Sequence, residues 1–308
     1  MTSPAPNTPA TGLAPSTVDP LRGQVLAALA QHRIATTGQL RQMLRPAGTR
    51  QLLSRVLNRL RSEGLVACSE LPHANRTRTK AWYLTREGSR LTRDLPVLRG
   101  RPPYTVASPA AASLKIPHTL AVVRAHLAFA ADARQRGDEH GPHDWTPEVA
   151  HHLGDGQRLI ADALMHYSLA RPDGGSTKLR AFIEIDRTTM SSERMASKLI
   201  EYARFHRYQP TPAGRRTPAP SLEGPAWMRW YPLYPRILFI LTGATRRTLN
   251  NRTTDLRSMA DIHPAVTDLA RHTPLAAAIL EDLEQHGPAA PLWTPLTGTP
   301  EPRPWTDL

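Results

Sequence analysis

The residues from Leu21 to Leu84 constrain this chain most, because helical apolar spacing gives way there to strand-like spacing within a few dozen residues. Leu21 to Ala30 carries apolar residues at helical intervals. Thr36-Thr37-Gly38-Gln39 fits a capping box and opens a second helix through Leu44. Thr49 to Ser62 reads as a third helix, with Leu52, Leu53, Val56, Leu57 and Leu60 expected on one buried face. Gln51, Ser54, Arg55, Asn58 and Arg61 fall away from that face. Glu63-Gly64-Leu65-Val66 turns into a strand, and Ala81-Trp82-Tyr83-Leu84 is a second one. The loop between them holds Arg76, Arg78 and Lys80. Three helices followed by a basic hairpin is the order of a winged helix-turn-helix, here over residues 19–95.

Charge supports that reading. The 308-residue chain has a formal net charge of +13, which points to an anionic partner. Between Asp19 and Gly100 there are 15 Lys/Arg against 5 Asp/Glu, so most of the excess sits in this one segment. Arg50, Gln51, Ser54, Arg55, Asn58 and Arg59 on the third helix, with Arg76, Arg78 and Lys80 on the wing, are therefore the candidate contacts to double-stranded DNA. The single cysteine, Cys68, allows neither a disulfide within the chain nor a cysteine-based zinc site, which fits a reducing cytoplasm. No run approaches the roughly 20 apolar residues of a membrane helix, so no membrane association is expected.

Residues 1–18 read as a disordered arm and 96–117 as a Pro-rich linker. A second domain is expected over 118–286. It opens with a helix from His118 to Arg134, in which Leu120, Val123, Leu127 and Ala131 share a face. Strands are expected at Trp145–Leu153, Leu159–Tyr167 and Leu179–Asp186, the last two joined by a hairpin at Gly174-Gly175. A helix follows from Ser191 to His206, then a mobile insertion at 209–226, and a buried strand at Arg236–Thr242. Thr245–Ala260 and Pro264–His286 read as further helices, and 287–308 as a Pro-rich tail. The expected fold class is α+β or α/β, a mixed sheet flanked by helices.

Asp162 lies within an otherwise apolar strand, and Glu184 and Asp186 alternate onto one face of another. Carboxylates on apolar strands are costly unless paired or metal-bound. If the hairpin register sets Asp162 beside Glu184, the three acids converge into an oxygen site for a hard cation such as Mg2+. Asp162 followed by Glu184-Ile185-Asp186 after a hairpin resembles the PD-(D/E)xK nuclease pattern, which implies a restriction-endonuclease-like sheet with metal on Asp162 and Glu184. Asp186 stands where that pattern usually has lysine, and Ala161 stands before Asp162 in place of proline. Lys198 on the following helix is the candidate substitute, against a reading as a surface lysine facing Glu201 or Glu193.

The whole chain also resembles the replication-relaxation family of mobile-element proteins. The resemblance is carried in order by Trp82-Tyr83-Leu84-Thr85-Arg86-Glu87-Gly88, His118-Thr119-Leu120-Ala121-Val122 and Trp145-Thr146-Pro147-Glu148. Ala161-Asp162-Ala163, Phe182 to Thr189, Lys198-Leu199 and Tyr202 complete it. It implies a role in plasmid replication and DNA relaxation; metal-dependent nicking by Asp162, Glu184, Asp186 and Lys198 is what the nuclease-like acidic pattern implies. A homodimer and replication or conjugation proteins are the expected partners besides DNA.

Two other readings stay open. One is a non-enzymatic initiator accessory or transcriptional regulator with an inactive second domain. The other is a nicking enzyme using Tyr167, Tyr202 or Tyr208. Trp227, Trp230, Tyr231 and Tyr234, near Arg229 and Arg236, either stack on unpaired bases or pack a loop on the sheet. His151-His152 is not assigned to metal, because adjacent strand residues face opposite ways.

Overall fold

Capping and burial set where the N-terminal helices begin and end. The computed structural model describes residues 20–71, 79–98, 106, 109–154, 156–210 and 224–308. Helix α1 (Pro20–His32) leads into a short strand, β1 (Ile34–Thr36). Thr36 then caps α2 (Thr37–Leu44): its hydroxyl accepts from Gln39 N–H, and the Gln39 side chain accepts from Thr36 N–H. Thr49 caps α3 (Arg50–Ser62) by its hydroxyl alone, which accepts from Leu52 N–H. Strands β2 (Val66–Leu71) and β3 (Thr79–Leu84) form an antiparallel pair, and β1 adds to the far edge of β3. The third strand was not expected; it is three residues long, too short for alternation to mark it. Arg76 and Arg78 lie outside the described residues, as do 1–18 and most of the segment 209–226.

Leu53, Leu57 and Leu60 of α3 are buried, as the spacing predicts, and Val56 is half-buried. Leu52 departs from expectation and is 42% exposed. It sits in the first turn, where only one face of α3 meets α1 and α2. Thr85 caps α4 (Arg86–Thr92), which closes this unit. Trp82 fixes the sheet to the helices by donating its indole N–H to Thr37 Oγ1 at 2.9 Å.

The linker expected over 96–117 is partly helical. Helix α5 runs Pro109–Arg136 and contains Pro117. Proline suits the first helical position, where its missing N–H costs nothing. Within the helix Pro117 removes one backbone bond, a cost offset by burial of Ile116 and of nearly every residue from Ala121 to Ala133. The helix is buried around most of its circumference because two bodies cover it. Val123 and Leu127 join the core of α1–α3, while Ala125, Phe129 and Ala133 join the core of a second sheet.

That sheet contains β4 (Trp145–His152), β5 (Arg158–Ala170), β6 (Ser176–Asp186), β7 (Arg236–Leu241), β8 (Leu275–Ile279) and β9 (Thr294–Pro295), side by side in that order. β4, β5 and β6 are antiparallel, β6–β7–β8 parallel, and β9 antiparallel. Helices α6 (Ser192–Arg207), α7 (Arg246–Ile262) and α8 (Pro264–Ala270) cover one face; α5, α9 (Leu280–His286) and the C-terminal segment cover the other. The molecule is thus α+β, with helices and a mixed sheet.

Two expectations change here. Pro264–His286 is not one helix, since Leu275–Ile279 inserts as a strand between β7 and β9. Its Leu-Ala-Ala-Ala-Ile sequence favours helix locally, but a slot in the sheet overrides propensity. The Pro-rich tail is part of the core: Trp293, Leu296 and Trp305 are fully buried.

Candidate functional site

β5 and β6 stop pairing at Ala163–Ile183, after which β5 follows β4 and β6 follows β7. Side chains fill the resulting fork. Asp162 Oδ2 accepts from Ile185 N–H at 2.8 Å, standing in for the backbone carbonyl that would otherwise continue the ladder. Lys198, reaching down from α6, donates to Ile160 carbonyl oxygen on β5 and lies 3.3 Å from Glu184 Oε1 on β6. Tyr202, one turn further along α6, donates to the same Glu184 oxygen at 2.6 Å. His118 comes from α5, with Nε2 3.1 Å from Asp162 Oδ1.

Burial decides the electrostatics of this fork. Glu184 has a side chain only 3% exposed. Burial and the neighbouring Asp162 push its carboxyl up to about 8, against the opposing pull of Lys198 and Tyr202. The hydrogen bond to the Asp162 carboxylate raises the imidazole of His118. Tyr202 is pushed up by burial and by Glu184. Asp162 and Lys198 keep about a fifth of their side-chain surface in solvent, so the fork opens on their side.

Asp186 does not join. Its carboxylate accepts from Arg252 Nε at 2.6 Å and from Thr188 N–H at 2.9 Å, and Arg252 also donates to Met190 carbonyl oxygen. It therefore ties the turn after β6, where Thr188 adopts φ 58°, to α7. The expected convergence of three carboxylates is replaced by a pair plus a lysine. Among the described residues no group of three or more His, Cys, Asp or Glu side chains is arranged to hold a metal ion.

The candidate DNA face is largely open. Arg50, Gln51, Arg55, Asn58 and Arg59 of α3 are exposed and Ser54 is half-buried. Arg59 bonds Glu63 at 3.3 Å, and Glu63 also takes Arg22. Lys80 lies over the Trp82 ring at 5.7 Å.

A family model described as replication-relaxation matches residues 26–217. The chain belongs to the replication-relaxation family. The matched span includes α3 and every residue of the fork, and it ends before β7. No curated protein and no solved structure matches the chain. Among the described residues no helix is long and apolar enough to cross a membrane.

In this replication-relaxation protein the fork gathers Asp162, Glu184 and Lys198 from three elements and leaves Asp186 aside. Lys198 also approaches Glu201 at 4.0 Å, so the surface reading accounts for a weaker contact than the one to Glu184. His118 was not foreseen as a site residue, and Tyr202 was expected only as a candidate nucleophile, not as the donor to Glu184. His118 lies 44 positions from Asp162, and no local pattern links them; only the placement of α5 does. Tyr167 and Tyr202 are buried with hydroxyls bonded to Asp138 and Glu184. His151 is buried and His152 exposed, as opposite strand faces require.

Proposed function

We propose that this replication-relaxation protein binds and nicks double-stranded DNA of a plasmid or other mobile element. Residues 20–95 act as a winged helix-turn-helix, with α3 in the major groove and the β2–β3 hairpin on the backbone. The second sheet acts as a PD-(D/E)xK-like nuclease core. The observation that carries this reading is the fork: Lys198 sits 3.3 Å from Glu184 while Asp162 occupies the splayed ladder position.

The donor set suits Mg2+, which takes one or two carboxylates and keeps water and substrate phosphate as its other ligands. Glu184 supports the fit, because a buried carboxyl beside a second acid is a group that a cation would stabilise as its anion. Asp162 and Glu184 would hold the ion, which would supply an activated water and charge neutralisation at a phosphodiester. Lys198 holds an ammonium over the same opening, where it offsets developing negative charge. His118 and Ile185 N–H fix the orientation of Asp162, and Tyr202 fixes Glu184.

One observation favours a second reading. Asp162 Oδ1, Asp162 Oδ2 and Glu184 Oε1 each already have a protein partner. A network satisfied in this way also serves a non-enzymatic scaffold, with the chain acting as an initiator accessory or regulator through α3. Incubation with supercoiled plasmid in Mg2+, Mn2+ or EDTA separates the two. Metal-dependent nicking that disappears in Asp162→Ala and Glu184→Ala supports the nuclease. Intact plasmid under conditions where the protein still shifts the DNA supports the scaffold.

A further inference from the structure

Four aromatic residues follow one another between Trp227 and Tyr234, and the structure divides them. Trp227, Tyr231 and Tyr234 are buried and use their polar atoms internally. Trp227 Nε1 donates to His206 carbonyl oxygen at 3.0 Å, Tyr234 hydroxyl donates to Tyr202 carbonyl oxygen at 2.9 Å, and Tyr231 hydroxyl meets His151 Nε2 at 2.9 Å. Trp230 is the exception at 52% exposed, flanked by Met228 at 55% and Leu233 at 77%.

Its backbone is fixed, since Trp230 N–H closes a helical turn on Trp227 carbonyl oxygen at 3.0 Å. One side of its ring rests against His151 and Phe205, at centroid distances of 5.1 and 6.4 Å. A large aromatic surface held rigidly from behind and open in front loses little entropy on taking a flat partner. Arg229 is exposed beside it, and Arg180 acts electrostatically on the adjacent Tyr231. Neither arginine has an ion-pair partner among the described residues. Positive charge beside an exposed aromatic face matches a nucleobase and its phosphates better than an apolar peptide. The placement agrees: Phe205 lies seven residues beyond Lys198 on α6, roughly 10 Å along the helix axis.

We propose that Trp230 is a stacking platform for an unpaired nucleobase, held on the same face of the sheet as the acidic fork. This rests on the proposed action on DNA and narrows it, because the preferred substrate then contains locally unpaired strand, as underwound plasmid does. The test is fluorescence anisotropy of the full chain with a labelled single-stranded oligonucleotide and, separately, a labelled duplex. Trp230→Ala should weaken single-strand binding on the order of tenfold, with duplex binding unchanged and Trp230→Phe largely restoring it. Arg55→Ala should weaken the duplex complex instead.

Equal single-strand affinity in wild type and Trp230→Ala overturns the platform. So does a wild type that binds duplex alone, which leaves the proposed function standing. A wild type that binds neither DNA overturns both. If Trp230→Ala converts a dimer to a monomer in sedimentation without affecting single-strand binding, the patch belongs to a second copy of the chain.

Discussion

Glu184 is a buried carboxyl in the buried half of β6, residues 181–186, which is otherwise Ala, Phe, Ile and Asp, and its protonation links to stability. The folded state holds its proton up to about 8, whereas the unfolded chain releases it near 4.5. Its contribution is therefore complete below 4.5 and is lost as pH rises through 8. His118, raised by Asp162, acts in the same direction above its ordinary value. His126 acts oppositely: burial, with His32 and His140 nearby, holds it well below 6.5, so stability falls as pH drops below that value. Denaturation in EDTA should show stability declining on both sides of the range from about pH 5 to 7. Glu184→Gln should remove a loss on the order of a few kcal/mol between pH 5 and 9. An unchanged alkaline limb in that variant would show that Glu184 is solvated and already charged.

At the scale of elements, caps and close approaches decide where segments stop. Thr85 caps α4 with its side chain on Gly88 N–H, and the same turn lies against the start of β2. A Cβ on Gly88 would fall 2.0 Å from the Leu65 carbonyl oxygen. Gly88→Ala should therefore cost about 3 kcal/mol, since backbone must move; urea unfolding checks this, and a change below 0.5 kcal/mol would refute the close approach. The caps at Thr36, Thr49, Thr85 and Ser191 were readable or nearly so, because capping is a local contest between a side chain and the helix's own N–H groups. Strand β8 was not readable, because Leu-Ala-Ala-Ala-Ile carries no period-two signal and both its faces are covered. Pro117 misled in the opposite sense: a residue that usually breaks helices sits inside α5, where burial outweighs one lost bond.

Across the whole molecule α5 is the shared element. Val123 and Leu127 pack with α1–α3, and Phe129 packs with Trp145, Trp293 and Trp305 of the second unit. Gln31 side chain donates to Trp145 carbonyl oxygen at 2.6 Å, and Arg33 pairs with Glu148, both across the same junction. The two units should therefore unfold together. Leu127→Ala is expected to remove about 3 kcal/mol and to shift a single calorimetric transition; two separate transitions, with only one displaced, would contradict a shared core. A consequence for function is that α3 and the fork stand in fixed relation, so any cut would fall at a set distance from the bound site.

By itself the sequence determined the elements with strong local signals: three N-terminal helices, the hairpin, the apolar central strands and the excess of positive charge on one segment. These follow from periodicity, capping and composition, which act over a few residues at a time. It also marked Asp162, Glu184 and Asp186 as the residues to watch, because charges in apolar strands need a reason, with Lys198 on the next helix as the candidate lysine against a surface reading. Only the tertiary structure decided which of them meet. Strand register placed Asp162 in the fork and faced Glu184 toward α6, the packing of α7 diverted Asp186 to Arg252, and α5 brought His118 across 44 positions of chain. Those are long-range contacts, set by how one buried face fits another, and no local pattern in the chain encodes them singly.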